Sequence, residues 1–196
     1  MSRVRTAVLI SGRGSNMMAL VNAAQDPDYP AEIVLVVSNR PGAAGLDRAR
    51  AAGVEAVCID HTAFEGRAAF ESALHAALVD HDIGFVACAG FMRILTPGFV
   101  SRWAGRMINI HPSLLPKYKG LHTHRRALEA GDAEAGASVH WVADDVDAGG
   151  VIAQARVPVE PGDTEGSLSE RVLAAEVSLY PEALARAVRI AAREPH

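Results

Sequence analysis

The first 111 residues alternate between short, β-branched apolar runs and Ala-rich stretches with helical spacing, and few folds accommodate that rhythm. The runs are RTAVLIS (5–11), AEIVLVVSN (31–39), VEAVCI (54–59), IGFVACA (83–89) and RMINI (106–110). Because they are nearly continuous in apolar residues rather than alternating, they predict strands covered on both faces, as in a parallel sheet. The segments between them, near 16–25, 43–52, 67–81 and 96–103, predict helices, and strand–helix–strand units of this kind are right-handed and cover both faces. After Pro116 the pattern loosens into a loop, a helix near 124–131 and strands SVHWVAD (138–144) and VIAQARVPV (151–159). The last two read as an antiparallel pair joined by an acidic, Gly-containing turn. A closing helix over roughly 165–192 presents Leu168, Val172, Leu173, Val177 and Leu184 as its apolar side. The expectation is α/β: one domain over 1–196, a mostly parallel sheet with an antiparallel C-terminal portion, and helices on both faces. No repeat, low-complexity tract or linker divides it.

In open α/β sheets ligands bind beyond the carboxyl ends of the strands, where strand order reverses. Two such ends carry unusual residues. In MINIHPSLLP (107–116), Asn109 and His111 share one face of a strand because the side-chain period is two. Pro112 ends the strand there, so an amide and an imidazole stand side by side at its carboxyl end. The second is SGRGSN (11–16), which follows the first strand and opens a helix. Gly12 and Gly14 permit a tight turn, and Ser15 and Asn16 are placed to cap the helix, whose N-terminus attracts anions. It reads either as a phosphate cradle or as a plain turn before a capped helix. The third glycine of a dinucleotide fingerprint is missing, since Met17 stands there.

Charge order bears on that choice. The net charge is −4, yet Ile83 to Leu128 holds no Asp or Glu and carries Arg93, Arg102, Arg106, Lys117, Lys119, Arg125 and Arg126. A basic patch on an acidic chain suggests a small anionic ligand rather than nucleic acid; the alternative is a chance fluctuation in charge order. DDVDAGG (144–150) fails as a calcium loop, with Gly149 and Arg156 where ligands are needed. It is either a solvated turn or a device that brings Asp147 to His111, where a carboxylate fixes the imidazole tautomer and favours its protonated form. His111, His122, His124 and His140 follow no known zinc-ligand spacing, so no metal is expected. Cys58 and Cys88 lie in apolar strands without a paired spacing and read as buried thiols of a reducing compartment. No apolar run approaches ~20 residues and no secretory pattern opens the chain, which points to the cytoplasm.

Together, NIHPSLLPKYKG (109–120), AGFMRIL (89–95), ISGRGSN (10–16) and SVHWVADDVDAGG (138–150) resemble the phosphoribosylglycinamide formyltransferases of purine biosynthesis, nearly end to end and in order. The resemblance implies a Rossmann-like formyltransferase fold, with a phosphate-binding half over about 1–100 and a folate and catalytic half over about 101–196. It implies formyl transfer from 10-formyltetrahydrofolate, without metal, to the glycinamide amine of a phosphoribosyl substrate. Asn109, His111 and Asp147 become the catalytic trio. Gly14, Ser15 and Asn16 hold the ribose phosphate, and Glu176 meets the sugar. Met92, Arg93, Ile94 and Leu95, with Ala143, Asp144, Asp145 and Val146, line the folate pocket, and Arg67 stands nearby on a softer match. The expected partners are these small molecules alone, for a monomer or a homodimer. Lys119 stands where some members carry proline, and the end at His196 comes earlier than in many relatives.

Other folate-dependent formyltransferases and formyltetrahydrofolate hydrolases share the SLLP segment. Methionyl-tRNA formyltransferases carry an added C-terminal domain and the hydrolases usually an added N-terminal one, and a chain of 196 residues is expected to hold neither. A noncatalytic phosphate-ligand binding protein is the alternative of another class, but it has no need of Asn109, His111 and Asp147 together.

Overall fold

Among the described residues, seven strands form one mixed sheet, in the order β3 (Glu55–Cys58), β2 (Ala31–Ser38), β1 (Val4–Ile10), β4 (Phe85–Cys88), β5 (Met107–His111), β6 (Glu134–Trp141), β7 (Val151–Pro158). The computed structural model describes residues 3–193; the end at His196 lies outside them. The elements are β1 (Val4–Ile10), α1 (Ser15–Ala23), β2 (Ala31–Ser38), α2 (Ala44–Ala51), β3 (Glu55–Cys58), α3 (Arg67–Asp80), β4 (Phe85–Cys88), α4 (Pro97–Arg102), β5 (Met107–His111), α5 (Thr123–Glu129), β6 (Glu134–Trp141), β7 (Val151–Pro158) and α6 (Glu165–Ala191). β1 to β5 run parallel, and β6 and β7 are antiparallel additions. This is the architecture that the run pattern implies. No helix among the described residues is long and apolar enough to cross a membrane.

The continuous apolar strands are explained by two packed layers. On one face Val8, Ile10, Val36, Ile108 and Ile110 meet Met17 and Leu20 of α1 and Tyr180, Leu184 and Val188 of α6. On the other, Leu9, Leu35, Val86 and Met107 meet Phe70 and Leu74 of α3 and Phe99 and Trp103 around α4. Alternate residues of each strand therefore serve alternate layers. Thr96 caps α4 with Pro97 in its first turn, and Thr164 and Ser167 form a reciprocal cap on α6. Asn39 and Ser11 at adjoining strand ends are buried and hydrogen-bonded to each other (2.5 Å).

Three details differ from expectation. β6 begins at Glu134 rather than 138 and ends at Trp141 rather than 144. Its Ala- and Gly-rich start has weak strand propensity, but Glu134 to Ala137 pair with Ala155 to Pro158 of β7, and tertiary pairing overrides propensity. Cys58 is exposed because β3 is the sheet edge, whereas Cys88 is buried in β4, where burial pushes its thiol up to about 12. On α6 the buried stripe is Leu168, Val172, Glu176, Tyr180 and Leu184. Val177 lies off it and is exposed, and Leu173 is half-buried. The stripe thus contains a carboxylate that apolar periodicity passes over.

Leu184 is fully buried between α6 and the sheet. Leu184→Ala is expected to lower stability by about 2–5 kcal/mol, read from urea unfolding.

Candidate active site

β1 pairs with β2 on one side and with β4 on the other, and all three run parallel. The chain therefore leaves β1 and β4 towards opposite faces, opening a crevice at their carboxyl ends. The segments that follow β1, β4 and β5 meet there. Ser11 joins the first two: its amide donates to Gly90 O (3.1 Å), and its Oγ accepts from the Met92 amide (2.7 Å).

In the first segment, Gly14 is the residue before α1, in the left-handed region at φ 73°. A Cβ there would lie 3.0 Å from the Gly45 Cα backbone, so both conformation and packing require glycine. Ser15 and Asn16 are the first residues of α1 and do not cap it: the left-handed Gly14 places them inside the first turn, and no side chain among the described residues caps that end. Asn16 instead donates from Nδ2 to Glu176 Oε2 (2.8 Å) across to α6, while its buried Oδ1 has no partner among the described residues. Burial raises the Glu176 carboxyl above its ordinary range, with the Asn16 amide opposing part of that rise. The structure thus brings Asn16 and Glu176 together beside an uncapped helix start.

In the third segment, Asn109 and His111 project from β5 on the same face as Met107, past the end of the α3–α4 layer. The antiparallel register sets His140 of β6 opposite Asn109, and directly paired residues share a face. The turn after β6 folds back over them and brings in Asp147. Asp147 Oδ2 lies 3.2 Å from His111 Nδ1 and accepts from the Gly120 amide (3.0 Å), and Oδ1 lies 3.4 Å from His140 Nε2. Asn109 Nδ2 is 3.2 Å from the same His140 nitrogen. That turn closes backbone on backbone. A Cβ on Gly149 would fall 1.7 Å from Trp141 O, and the Trp141 amide donates to Gly150 O (3.0 Å).

Hydrogen-bond bookkeeping assigns protons. A carbonyl only accepts, so His111 Nε2 donates to Tyr118 O (2.9 Å). Nδ1 faces the Asp147 carboxylate, so the ring is set between two acceptors. His140 Nδ1 donates to Trp141 O (2.9 Å). Its Nε2 then accepts from Asn109 when the ring is neutral and donates to Asp147 when it is charged. Burial alone raises the Asp147 carboxyl, but the His140 hydrogen bond, the Gly120 amide and the two imidazole charges outweigh it and hold the group below its ordinary range. Both the His111 and Asp147 side chains are under a tenth exposed.

Of the residues read as lining the folate pocket, Met92 and Ile94 are each 58% exposed and Val146 is 46% exposed, large apolar side chains left to solvent. Arg93 stacks over the Phe70 ring (5.9 Å), and Leu95 packs half-buried on the α3–α4 layer. Ala143, Asp144 and Asp145 are exposed in the turn after β6, and Arg67 is exposed at the start of α3, one turn before Phe70. His122 is exposed and His124 half-buried; among the described residues, no group of three or more His, Cys, Asp or Glu is placed to hold a metal ion. Two contributions were not read from the sequence: that of His140, weighed there only as a metal ligand and placed by the β5–β6 register, and that of Ser11, which needs the β1–β4 pairing.

A crevice at the strand-order reversal has an uncapped helix start on one side and a largely enclosed Asn–His–His–Asp cluster on the other, the layout of a ligand site in a doubly wound α/β fold. Residues 4–184 match the family model described as formyl transferase, and the chain belongs to that family. It is 49% identical over 174 residues to phosphoribosylglycinamide formyltransferase of Escherichia coli (strain K12), covering 89% of this chain and 82% of that one. The crystal structure of phosphoribosylglycinamide formyltransferase from Brucella melitensis superimposes with a TM-score of 0.91 at 47% identity, over 100% of this chain and 99% of that one. The chain is also 49% identical over 182 residues to the human trifunctional purine biosynthetic protein adenosine-3, covering 93% of this chain but only 18% of that protein.

The lowered Asp147 carboxyl has a sign that unfolding can read. Its contribution is fully present above the unfolded value of about 3.9 and is lost as pH falls through the lower folded value. The stability advantage of the wild type over Asp147→Asn is therefore expected to be full at pH 5 and to shrink below about pH 4, measured by denaturant midpoints.

Proposed function

We propose that the chain is a phosphoribosylglycinamide formyltransferase, which transfers the formyl group of 10-formyltetrahydrofolate to the glycinamide amine of 5-phosphoribosylglycinamide in purine biosynthesis. The observation that carries this reading is the Asp147 carboxylate bridging His111 and His140 beside Asn109. It is supported by the match to Escherichia coli phosphoribosylglycinamide formyltransferase along most of both chains. The reading brings with it small-molecule partners and a cytoplasmic setting.

The residues fit both substrates. Gly14, Ser15 and Asn16 offer first-turn amides to a phosphate, and Asn16 with Glu176 offers an acceptor pair to sugar hydroxyls. The exposed apolar Met92, Ile94 and Val146 beside the cationic Arg93 suit a flat aromatic ligand with carboxylates, and we assign Leu95, Ala143, Asp144, Asp145 and Arg67 to the same wall. When bound, 10-formyltetrahydrofolate would supply the formyl carbon as electrophile and its N10, the anilinic nitrogen outside the pterin rings, as leaving group.

Negative charge develops on the formyl oxygen as the amine attacks, and preorganised donors lower the barrier to that charge. The Asn109 amide, set beside His140 (3.2 Å), donates an N–H to this oxygen. The imidazolium of His111 donates beside it by sharing its Nε2–H between the Tyr118 carbonyl and the new oxyanion. Asp147 keeps that ring charged and oriented through Nδ1. The proton of the attacking nitrogen then reaches the leaving nitrogen through water ordered by Asp147, or through His111, which first gives its Nε2–H to the leaving nitrogen and is reprotonated from the attacking one.

Ribonucleotide-dependent transfer from 10-formyltetrahydrofolate is the test: turnover is expected with glycinamide ribonucleotide and not with buffer. Turnover in buffer alone points to a hydrolase, and binding without turnover to a noncatalytic protein. Asn109→Ala and His111→Ala are each expected to reduce kcat by about 100- to 1000-fold. Ser15→Ala, which removes the hydroxyl we place on the phosphate beside those amides, should raise KM for the ribonucleotide while the affinity of a folate analogue stays within about twofold, the signature of a lost ground-state contact to one substrate. For Asp147→Asn, loss of the carboxylate disfavours the imidazolium, so the alkaline limb of kcat/KM is expected to move to lower pH.

A further inference from the structure

The segment between Pro116 and Thr123 is held from both sides. On its inner side two backbone groups reach the candidate site: the Tyr118 carbonyl accepts from His111 Nε2 (2.9 Å), and the Gly120 amide donates to Asp147 Oδ2 (3.0 Å). The loop thus grips each member of the His111–Asp147 pair once. Aiming the Tyr118 carbonyl inward requires an uncommon backbone state, φ 54° on a non-glycine residue.

What holds that state lies outside the site. Tyr118 OH donates to Asp132 Oδ2 (2.8 Å), and Lys117 Nζ donates to Asp132 Oδ1 (2.9 Å). The Arg126 guanidinium lies over the Tyr118 ring at 5.1 Å, and its Nη1 donates to Lys119 O (2.7 Å). Ser113 Oγ closes the base of the loop on Lys117 O (2.6 Å). Asp132 stands in the turn between α5 and β6, with its side chain only 17% exposed. None of these outer side chains has a part in the chemistry above.

We propose that Tyr118 and Asp132 are positioning residues: their side-chain clamp fixes the Tyr118 carbonyl and the Gly120 amide, and through them the orientation and protonation of the His111–Asp147 pair. Arg126 seats the ring from α5. The proposal rests on the formyl-transfer reading for its rate effects, and its structural half stands on contacts that do not depend on the substrate.

The test uses Tyr118→Phe, which removes only the hydroxyl, and Asp132→Asn, which removes the charge, so that misfolding of one leaves the other. Displacing a catalytic group by about 1 Å costs up to about 100-fold in rate, and a fall in kcat of about 10- to 100-fold is expected in each, with both KM values within about twofold. The charged or titratable groups facing His111 are Asp147 and His140 above it and His124 from α5. With those unchanged, a weakened carbonyl acceptor should move the alkaline limb of kcat to lower pH. In histidine-selective ¹⁵N spectra the His111 Nε2 signal should shift in both variants. Arg156→Ala, which breaks an exposed ion pair with Glu134 on the neighbouring strands, should change none of these. A lowered unfolding temperature with unchanged kcat, pH limb and His111 signal overturns the proposal and leaves the clamp purely structural. If the wild type transfers no formyl group, the functional reading falls, and the His111 signal alone decides the clamp.

Discussion

The double pairing of β1, with β2 on one edge and β4 on the other, is the constraint on which the remaining structure depends. Parallel neighbours on both sides require a covering layer on each face, because each crossover must run outside the sheet. They also put the ends of β1, β4 and β5 in a row. The loop that reads as a phosphate cradle, the exposed apolar segment at Met92 to Leu95 and the Asn109–His111 pair are neighbours for that reason alone. Ser11, bonded to Met92 and Asn39, locks the row at one end.

A second constraint acts within the site. His111 and Asp147 are both nearly enclosed, and an enclosed ion pair is tolerated only when its remaining hydrogen-bonding capacity is met. Here it is met by backbone: a carbonyl for the imidazole and an amide for the carboxylate. Backbone partners have fixed polarity, so they also settle which nitrogen carries which proton. His140 is the exception, since its Nε2 faces a donor in Asn109 and an acceptor in Asp147.

Much of this was legible in the sequence. The parallel strands announced themselves because burial on both faces leaves no polar alternation, and Pro112 marked the end of β5. Asn109 and His111 stood out as polar residues in an otherwise apolar strand. What escaped needed register or long-range pairing. His140 becomes part of the site only because β6 sets it opposite Asn109. The start of β6 at Glu134 follows from β7 rather than from its own composition. Glu176 was named through the resemblance alone, because apolar counting put Val177 in the stripe that buries it, and residues 15 and 16 lie inside the helix instead of capping it because Gly14 turns left-handed first. Local chemistry was readable; partners across strands were not.

The contact of Gly149 with the Trp141 carbonyl separates two roles along one short turn. Its closure is main chain against main chain, so the seat of Asp147 owes little to the side chains that precede it. Ala143 to Val146 are exposed and lie outside that closure. Those four positions form a rim that can change its size, charge and shape while the carboxylate a few atoms away stays where it is. On the reading proposed above, what the crevice admits can be retuned at 143–146 without re-solving the placement of its acid, provided position 149 keeps no side chain.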